Sequence, residues 1–95
     1  MSAYLIADVD ITDPAGFADY SRQVPASLEP YGGRYLIRGG AAAVLEGDWL
    51  PKRCVVIEFP DMQRLKAWWE SPAYRVLRVL RERTATSKIT AIEGV

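Results

Sequence analysis

The chain has 95 residues, with twelve Lys plus Arg set against twelve Asp plus Glu, no histidine and one cysteine. A chain of this length buries only roughly two-thirds of its unfolded surface, so it holds one core, and a second copy is a natural supplement to that core. Balanced charge removes the broad attraction on which nucleic-acid binders rely, and the missing imidazole excludes Ser-His-Asp catalysis, His-ligated zinc and a proximal haem histidine.

From Ala3 to Ile11, Leu5, Val9 and Ile11 alternate with Tyr4, Asp8 and Asp10, the period of a strand. Asp13-Pro14 reads as a helix cap followed by proline at the first position, where a missing N–H is harmless. Phe17, Tyr20, Val24, Leu28 and Tyr31 form one apolar helical stripe, which Pro25 is expected to interrupt or kink. Gly32-Gly33 ends the helix. A second strand, Arg34 to Arg38, is expected to bulge at Gly39-Gly40 and to resume through Val44 and Leu45. Gly47 to Pro51 leads to a third strand, Arg53 to Phe59, closed by Pro60. Asp61 caps a second helix carrying Met62, Leu65, Trp68 and Trp69, and Ser71-Pro72 repeats the cap-then-proline signal and breaks that helix. Beyond the break Tyr74, Leu77 and Leu80 are the buried stripe, while Arg75, Arg78, Arg81 and Arg83 read as a solvated basic surface. Lys88 to Glu93 is the last strand.

The order β-α-β-β-α-β, joined by right-handed crossovers, predicts an α+β ferredoxin-like domain over residues 1–95: a four-stranded antiparallel sheet with the helices on one face. Strand parity sorts the two faces. Odd positions are apolar and belong beneath the helices: Leu5, Ala7, Val9, Tyr35, Ile37, Val55, Ile57, Phe59, Ile89 and Ala91. Even positions mix aliphatics with charge: Tyr4, Ile6, Asp8, Arg34, Leu36, Arg38, Cys54, Val56, Glu58, Thr90 and Ile92. A face of that kind suits a second copy that covers it and encloses a polar space, giving a homodimer.

Arg38 and Arg34 offer planar recognition of a carboxylate or phosphate, and Gly39 and Gly40 would let a ligand approach the backbone. The alternative for Arg38 is an ion pair with Glu58 or Glu46. Glu58 and Asp8 are the candidate proton carriers, unless Arg38 or Arg53 holds Glu58 ionised in a structural pair. Tyr20 and Trp69, with Trp49, Trp68 and Tyr74, either wall a pocket for a planar ligand or fill the core and a subunit contact. Ser71 reads as a helix cap, and Cys54 as a small apolar strand residue. A lone cysteine forms no internal disulfide and fits a reducing cytoplasm. Neither a signal peptide nor an apolar run of ~18 residues is visible, so no membrane contact is expected. No metal or other cofactor is expected, and no nucleic acid.

Taken in order, Tyr31-Gly32-Gly33-Arg34, Arg38-Gly39-Gly40, Leu45-Glu46-Gly47-Asp48-Trp49, Arg53 to Pro60 and Ser71-Pro72-Ala73-Tyr74 resemble the pattern of the family called domain of unknown function 1330 (DUF1330), over essentially the whole chain. The resemblance implies the dimeric α/β-barrel superfamily. It also implies a fold-level relation to cofactor-free monooxygenases, small isomerases and haem-degrading enzymes, which transfers no reaction by itself. Two functions follow as expectations: a homodimer that binds a small anionic or planar molecule in a cavity on the even-numbered sheet face, with or without chemistry on it, and a non-catalytic assembly module.

Overall fold

The computed structural model describes all 95 residues. Strand β1 (Ala3–Ile11) leads to helix α1 (Pro14–Leu28) and a 3-10 turn at Glu29–Tyr31; strands β2 (Arg34–Arg38) and β3 (Cys54–Phe59) follow, then helices α2 (Met62–Glu70) and α3 (Pro72–Thr84), and strand β4 (Ala85–Glu93). The strands lie in the order β2-β3-β1-β4 and every pairing is antiparallel. This is the expected ferredoxin-like sheet. It is open, with β2 and β4 as its edges, and the chain alone does not close it into a barrel.

The helices begin where the caps predict. The Asp13 carboxylate accepts from the Gly16 N–H at 3.2 Å, and Asp61 from that of Arg64 at 2.8 Å. Ser71 serves two helices at once: its N–H and hydroxyl donate to the Trp68 carbonyl, closing α2, while its Oγ accepts from the Tyr74 N–H at 3.2 Å and opens α3. Pro25 does not interrupt α1, which runs through to Leu28. Val24, Ser27 and Leu28 around it are buried, and burying two such aliphatic side chains stabilises by about 1.5–3 kcal/mol each, enough to offset one lost backbone hydrogen bond.

The core lies between the odd-numbered sheet face and the helices. Ala3, Leu5, Ala7, Val9, Ile57 and Phe59 meet Phe17, Val24, Leu28, Leu65, Trp68 and Tyr74 there. Trp68, 1% exposed, sits at its centre, with its ring centroid 3.9 Å from that of Tyr74 and its indole N–H donating to Ser27 Oγ at 3.0 Å.

Three boundaries differ from the sequence reading, the smallest being β3, which starts at Cys54 rather than Arg53. β4 starts at Ala85 rather than Lys88, because Ala85 to Ser87 pair with Ile11 to Val9 at the end of the long first strand. Val44 and Leu45 do not resume a strand; between β2 and β3 the chain forms an irregular exposed loop, since no neighbouring strand offers them hydrogen bonds.

Gly33 lets the backbone approach two core side chains closely. A Cβ there would lie 2.8 Å from both Leu28 Cδ2 and Phe59 Cε1, whereas one at Gly40 would meet nothing within 4 Å. Gly33→Ala should therefore lose about 1–3 kcal/mol in urea unfolding through overpacking, and Gly40→Ala should stay within about 0.5 kcal/mol of the parent.

Candidate functional site

The site is set by one register shift. Tyr35 pairs with Ile57, but Ile37 pairs with Val56 and Arg38 with Val55, so Leu36 is an extra residue in β2. A bulge of this kind reverses the parity of everything after it. The sequence places it at Gly39-Gly40; it falls earlier, and both expectations for the strand end are corrected. Ile37 turns to the outer face beside Val56, and Arg38 turns under the helices beside Val55.

On that inner side, and not on the even-numbered face where the sequence reading expects it, a narrow cavity of ≈ 30 Å³ runs between the sheet and helices α1 and α3. Leu5, Ala7, Val9, Val55, Ile57 and Ile89 form its apolar floor, with Phe17 and Trp68 in its walls. Its polar side chains are Arg38, Arg53, Arg81, Tyr20, Tyr35, Tyr74 and Ser21; it has no carboxylate.

Each polar group is held differently. The Arg38 guanidinium lies 4.3 Å over the Tyr35 ring, and that of Arg53 lies 5.7 Å from the Phe17 ring. Arg53 reaches inward against the Cα of Gly39: with φ +70°, a Cβ there would lie 2.5 Å from Arg53 Nη1. Only glycine suits this position, for its backbone and for the space it leaves. The buried Nε–H of Arg53 has no hydrogen-bond acceptor. Arg81 is only 7% exposed, and its Nε–H donates to the Tyr74 hydroxyl at 3.3 Å. The Tyr74 and Tyr20 hydroxyls share a hydrogen bond of 2.8 Å. Burial, and then the neighbouring Tyr74, push the Tyr20 hydroxyl far above the ordinary tyrosine range. Burial also raises Tyr35, against the opposing pull of Arg38. These two phenols stay protonated at neutral pH.

The other sequence candidates lie elsewhere. Tyr4, Glu58 and Arg34 stand abreast on three paired strands of the outer face. Glu58 accepts from Arg34 Nε at 2.7 Å, with Nη2 at 2.6 Å, and from the Tyr4 hydroxyl at 3.1 Å. Glu58 is thus held ionised by Arg34, not by Arg38 or Arg53, and these hydrogen bonds, Arg34 first, put its carboxyl below the usual range. The ion pairs of the chain are Arg22–Asp19, Arg34–Glu58, Arg64–Asp61 and Arg75–Glu70, so Arg38 pairs with neither Glu58 nor Glu46.

Asp8 ties the β2–β3 loop to β1. Its carboxylate accepts from the Trp49 indole at 3.1 Å and from the backbone N–H groups of Lys52 at 2.9 Å and Arg53 at 3.4 Å, while the Val9 N–H donates to the Arg53 carbonyl. Gly40 opens onto an outer groove with Ile37, Val44, Leu45 and Cys54. Trp69 lies outside the cavity, 5.5 Å from Tyr74 between ring centroids, with Arg78 over its ring at 4.6 Å.

Of the sequence candidates the fold thus brings Arg38, Tyr20, Trp68 and Tyr74 to the cavity, while Gly39 packs against the Arg53 side chain. Sequence reasoning missed Tyr35, Arg53 and Arg81 as site residues. Arg53 has the odd parity of Val55 and Ile57, and Arg81 lies four residues after Leu77 and seven after Tyr74, on the buried stripe rather than the solvated surface.

Fold and site together define a ferredoxin-like α+β protein with an arginine- and tyrosine-lined cavity beneath its helices. The chain belongs to the family described as Domain of unknown function (DUF1330), whose model matches residues 2–95. It matches no curated protein. Among solved structures it is similar to a protein of unknown function from Rhodopseudomonas palustris (18% identity, TM-score 0.77), covering 99% of this chain and 82% of that one. It is also similar to SnoaB, a cofactor-independent oxygenase from Streptomyces nogalater (11% identity, TM-score 0.68, 99% and 93% covered). A dimeric ferredoxin-like protein of unknown function from a Jannaschia species is similar too (11% identity, TM-score 0.66, 99% and 100% covered). At these identities the likeness concerns the fold.

The Trp49 hydrogen bond, followed by the two backbone N–H groups against an opposing desolvation, holds the Asp8 carboxyl below the ordinary aspartate range. A group with a depressed folded pKa stabilises above its unfolded value and stops doing so as pH falls through the folded value. The loop should therefore stay docked down through the ordinary aspartate range and be released only below it. Hydrogen exchange over residues 41–52 should rise at that lower pH, and in Asp8→Ala at neutral pH.

Proposed function

We propose that this protein is a homodimer that binds a small planar molecule carrying negative charge in the cavity between sheet and helices. The observation that carries the reading is the cluster of Arg38, Arg53 and Arg81 around an apolar cavity, none of them ion-paired. A guanidinium taken partly out of water without a counter-ion is costly, and an incoming anion offsets that cost. The aromatic and aliphatic walls favour a flat, largely apolar body, the usual partner of a few convergent polar groups. A cavity of ≈ 30 Å³ has room for about two waters, so a ligand with a ring enters by displacing water and swinging the exposed Arg38 side chain aside. The fold shared with the oxygenase SnoaB extends the reading to cofactor-free chemistry on such a ligand.

The homodimer rests on the outer face. Leu36, Ile37 and Ile92 keep 48%, 43% and 49% of their surface exposed, beside the half-buried Ile6 and Val56. Together they make a contiguous apolar strip of the kind that marks an interface, and the Jannaschia relative in fold is dimeric.

The two halves of the proposal separate experimentally. Sedimentation of the parent should give a dimer at micromolar concentration, and Ile37→Asp should give a folded monomer. In a thermal-shift screen of small carboxylates, quinones and phosphates, Arg38→Ala should remove the stabilisation by any hit while leaving the dimer intact. If Arg38→Ala dissociates the dimer instead, the assembly-module reading gains and this one falls.

A further inference from the structure

The polar side chains of the cavity are rich in hydrogen-bond donors and include no anionic acceptor: three guanidiniums only donate, while the hydroxyls of Tyr20, Tyr35, Tyr74 and Ser21 both donate and accept. Guanidinium groups have no acceptor. They arrive from three walls, Arg38 at the end of β2, Arg53 just before β3 and Arg81 from α3, whereas β1, β4 and α2 contribute only apolar or indole surface. The hydroxyls bring lone pairs as well as protons, and one proton stays free. Tyr20 and Tyr74 together hold two O–H protons, and their mutual bond uses one; no protein acceptor takes the other. Arg81 already fills one lone pair on Tyr74. The buried Nε–H of Arg53 is a further donor without an acceptor. No Asp, Glu, His, Lys or Cys side chain lines the space, so no lining group is a base at neutral pH.

We propose that the cavity takes a weak organic acid in its ionised form and lowers that acid's pKa on binding, with the released proton passing to solvent. The balance is one neutral acid from water giving one bound anion and one proton to the buffer. The neutral acid fits less well: its own O–H can turn only to a hydroxyl oxygen, and its uncharged oxygens are weaker acceptors for guanidinium donors than those of the anion. The anion supplies lone pairs to several donors at once and sets negative charge among three cations, an arrangement whose effect is greatest where water is excluded. Selection thus falls on ionisation state as well as shape, and a ligand held this way is already deprotonated for whatever follows. This inference rests on the cavity being the ligand site.

The test uses 4-nitrophenol, whose neutral and ionised forms differ in colour, with 4-nitroanisole as its uncharged analogue. The parent protein is titrated with each at a pH one unit below the pKa of the free phenol. The expected result is that the ratio of ionised to neutral phenol rises about tenfold or more on binding, equivalent to at least one pKa unit. Calorimetry in buffers of different ionisation enthalpy should then report proton release approaching one per ligand. Arg53→Met and Arg38→Met should each reverse most of the colour shift; both sit at the rim of the core, and circular dichroism verifies their folding. Phenol binding without a change in ionisation, or nitroanisole binding in preference to phenol, overturns this inference and leaves the small-molecule site standing. Failure of both probes to bind overturns the inference and counts against the site itself.

Discussion

An extra residue in β2 decides where the charge of this molecule goes. Were Tyr35 to Arg38 in strict alternation, Arg38 would pair with Cys54 on the outer face and have the Asp8 carboxylate two strands away. The shift at Leu36 sends it under the helices instead, beside Val55, where no carboxylate lies. Arg34, before the shift, keeps the outer face and takes Glu58 for itself. Two arginines four residues apart in one short strand thus reach opposite fates, one neutralised by an acid and one left to colour a cavity.

That separation gives the two sheet faces different physics. The outer face balances its charge locally, through Arg34–Glu58 and through Asp8 with its three donors, and presents aliphatic side chains between them. Satisfied polar groups beside an apolar strip are compatible with burial against another surface. The inner face instead carries most of the hydrophobic core and, at one end, a set of donors with too few acceptors. Unpaired buried donors weaken a fold. Their persistence next to a well-packed Trp68–Tyr74 centre locates the place where the sequence departs from what stability alone favours, and such departures concentrate at functional sites.

Most of the architecture is legible from the residues. Asp13-Pro14, Asp61 and Ser71-Pro72 mark helix starts through chemistry that works within a few residues, and strand parity assigns β1, β3 and β4 to their faces. The site is less legible because it depends on a bulge with no signature of its own. Leu36 has no positive φ, so no glycine or asparagine marks the spot, while the conspicuous Gly39-Gly40 draws attention three residues late. The glycine at 39 is needed for a different reason, the passage of the Arg53 side chain. Arg81 was recoverable: the 74, 77, 81 spacing places it on the buried stripe, and only the habit of assigning arginine to solvent hides it. The Tyr20–Tyr74 bond joins residues 54 apart and needs the packed helices to appear at all.

Arg53 connects the two faces. Its backbone is fixed on the outer side, with its N–H on the Asp8 carboxylate and its carbonyl on the Val9 N–H, and its side chain ends in the inner cavity among Phe17 and the core. The loop that Asp8 anchors also carries Trp49 and Leu50, 61% and 60% exposed, and borders the apolar strip assigned to the second copy. In the proposed dimer, a partner pressing on that loop would restrain the Arg53 backbone, and through it the position of a guanidinium that lines the cavity. Completion of the outer face and organisation of the inner cavity then become parts of one event. This offers a physical reason for a small chain to keep a long, irregular connection between two short strands, where a tight hairpin would have been simpler to fold.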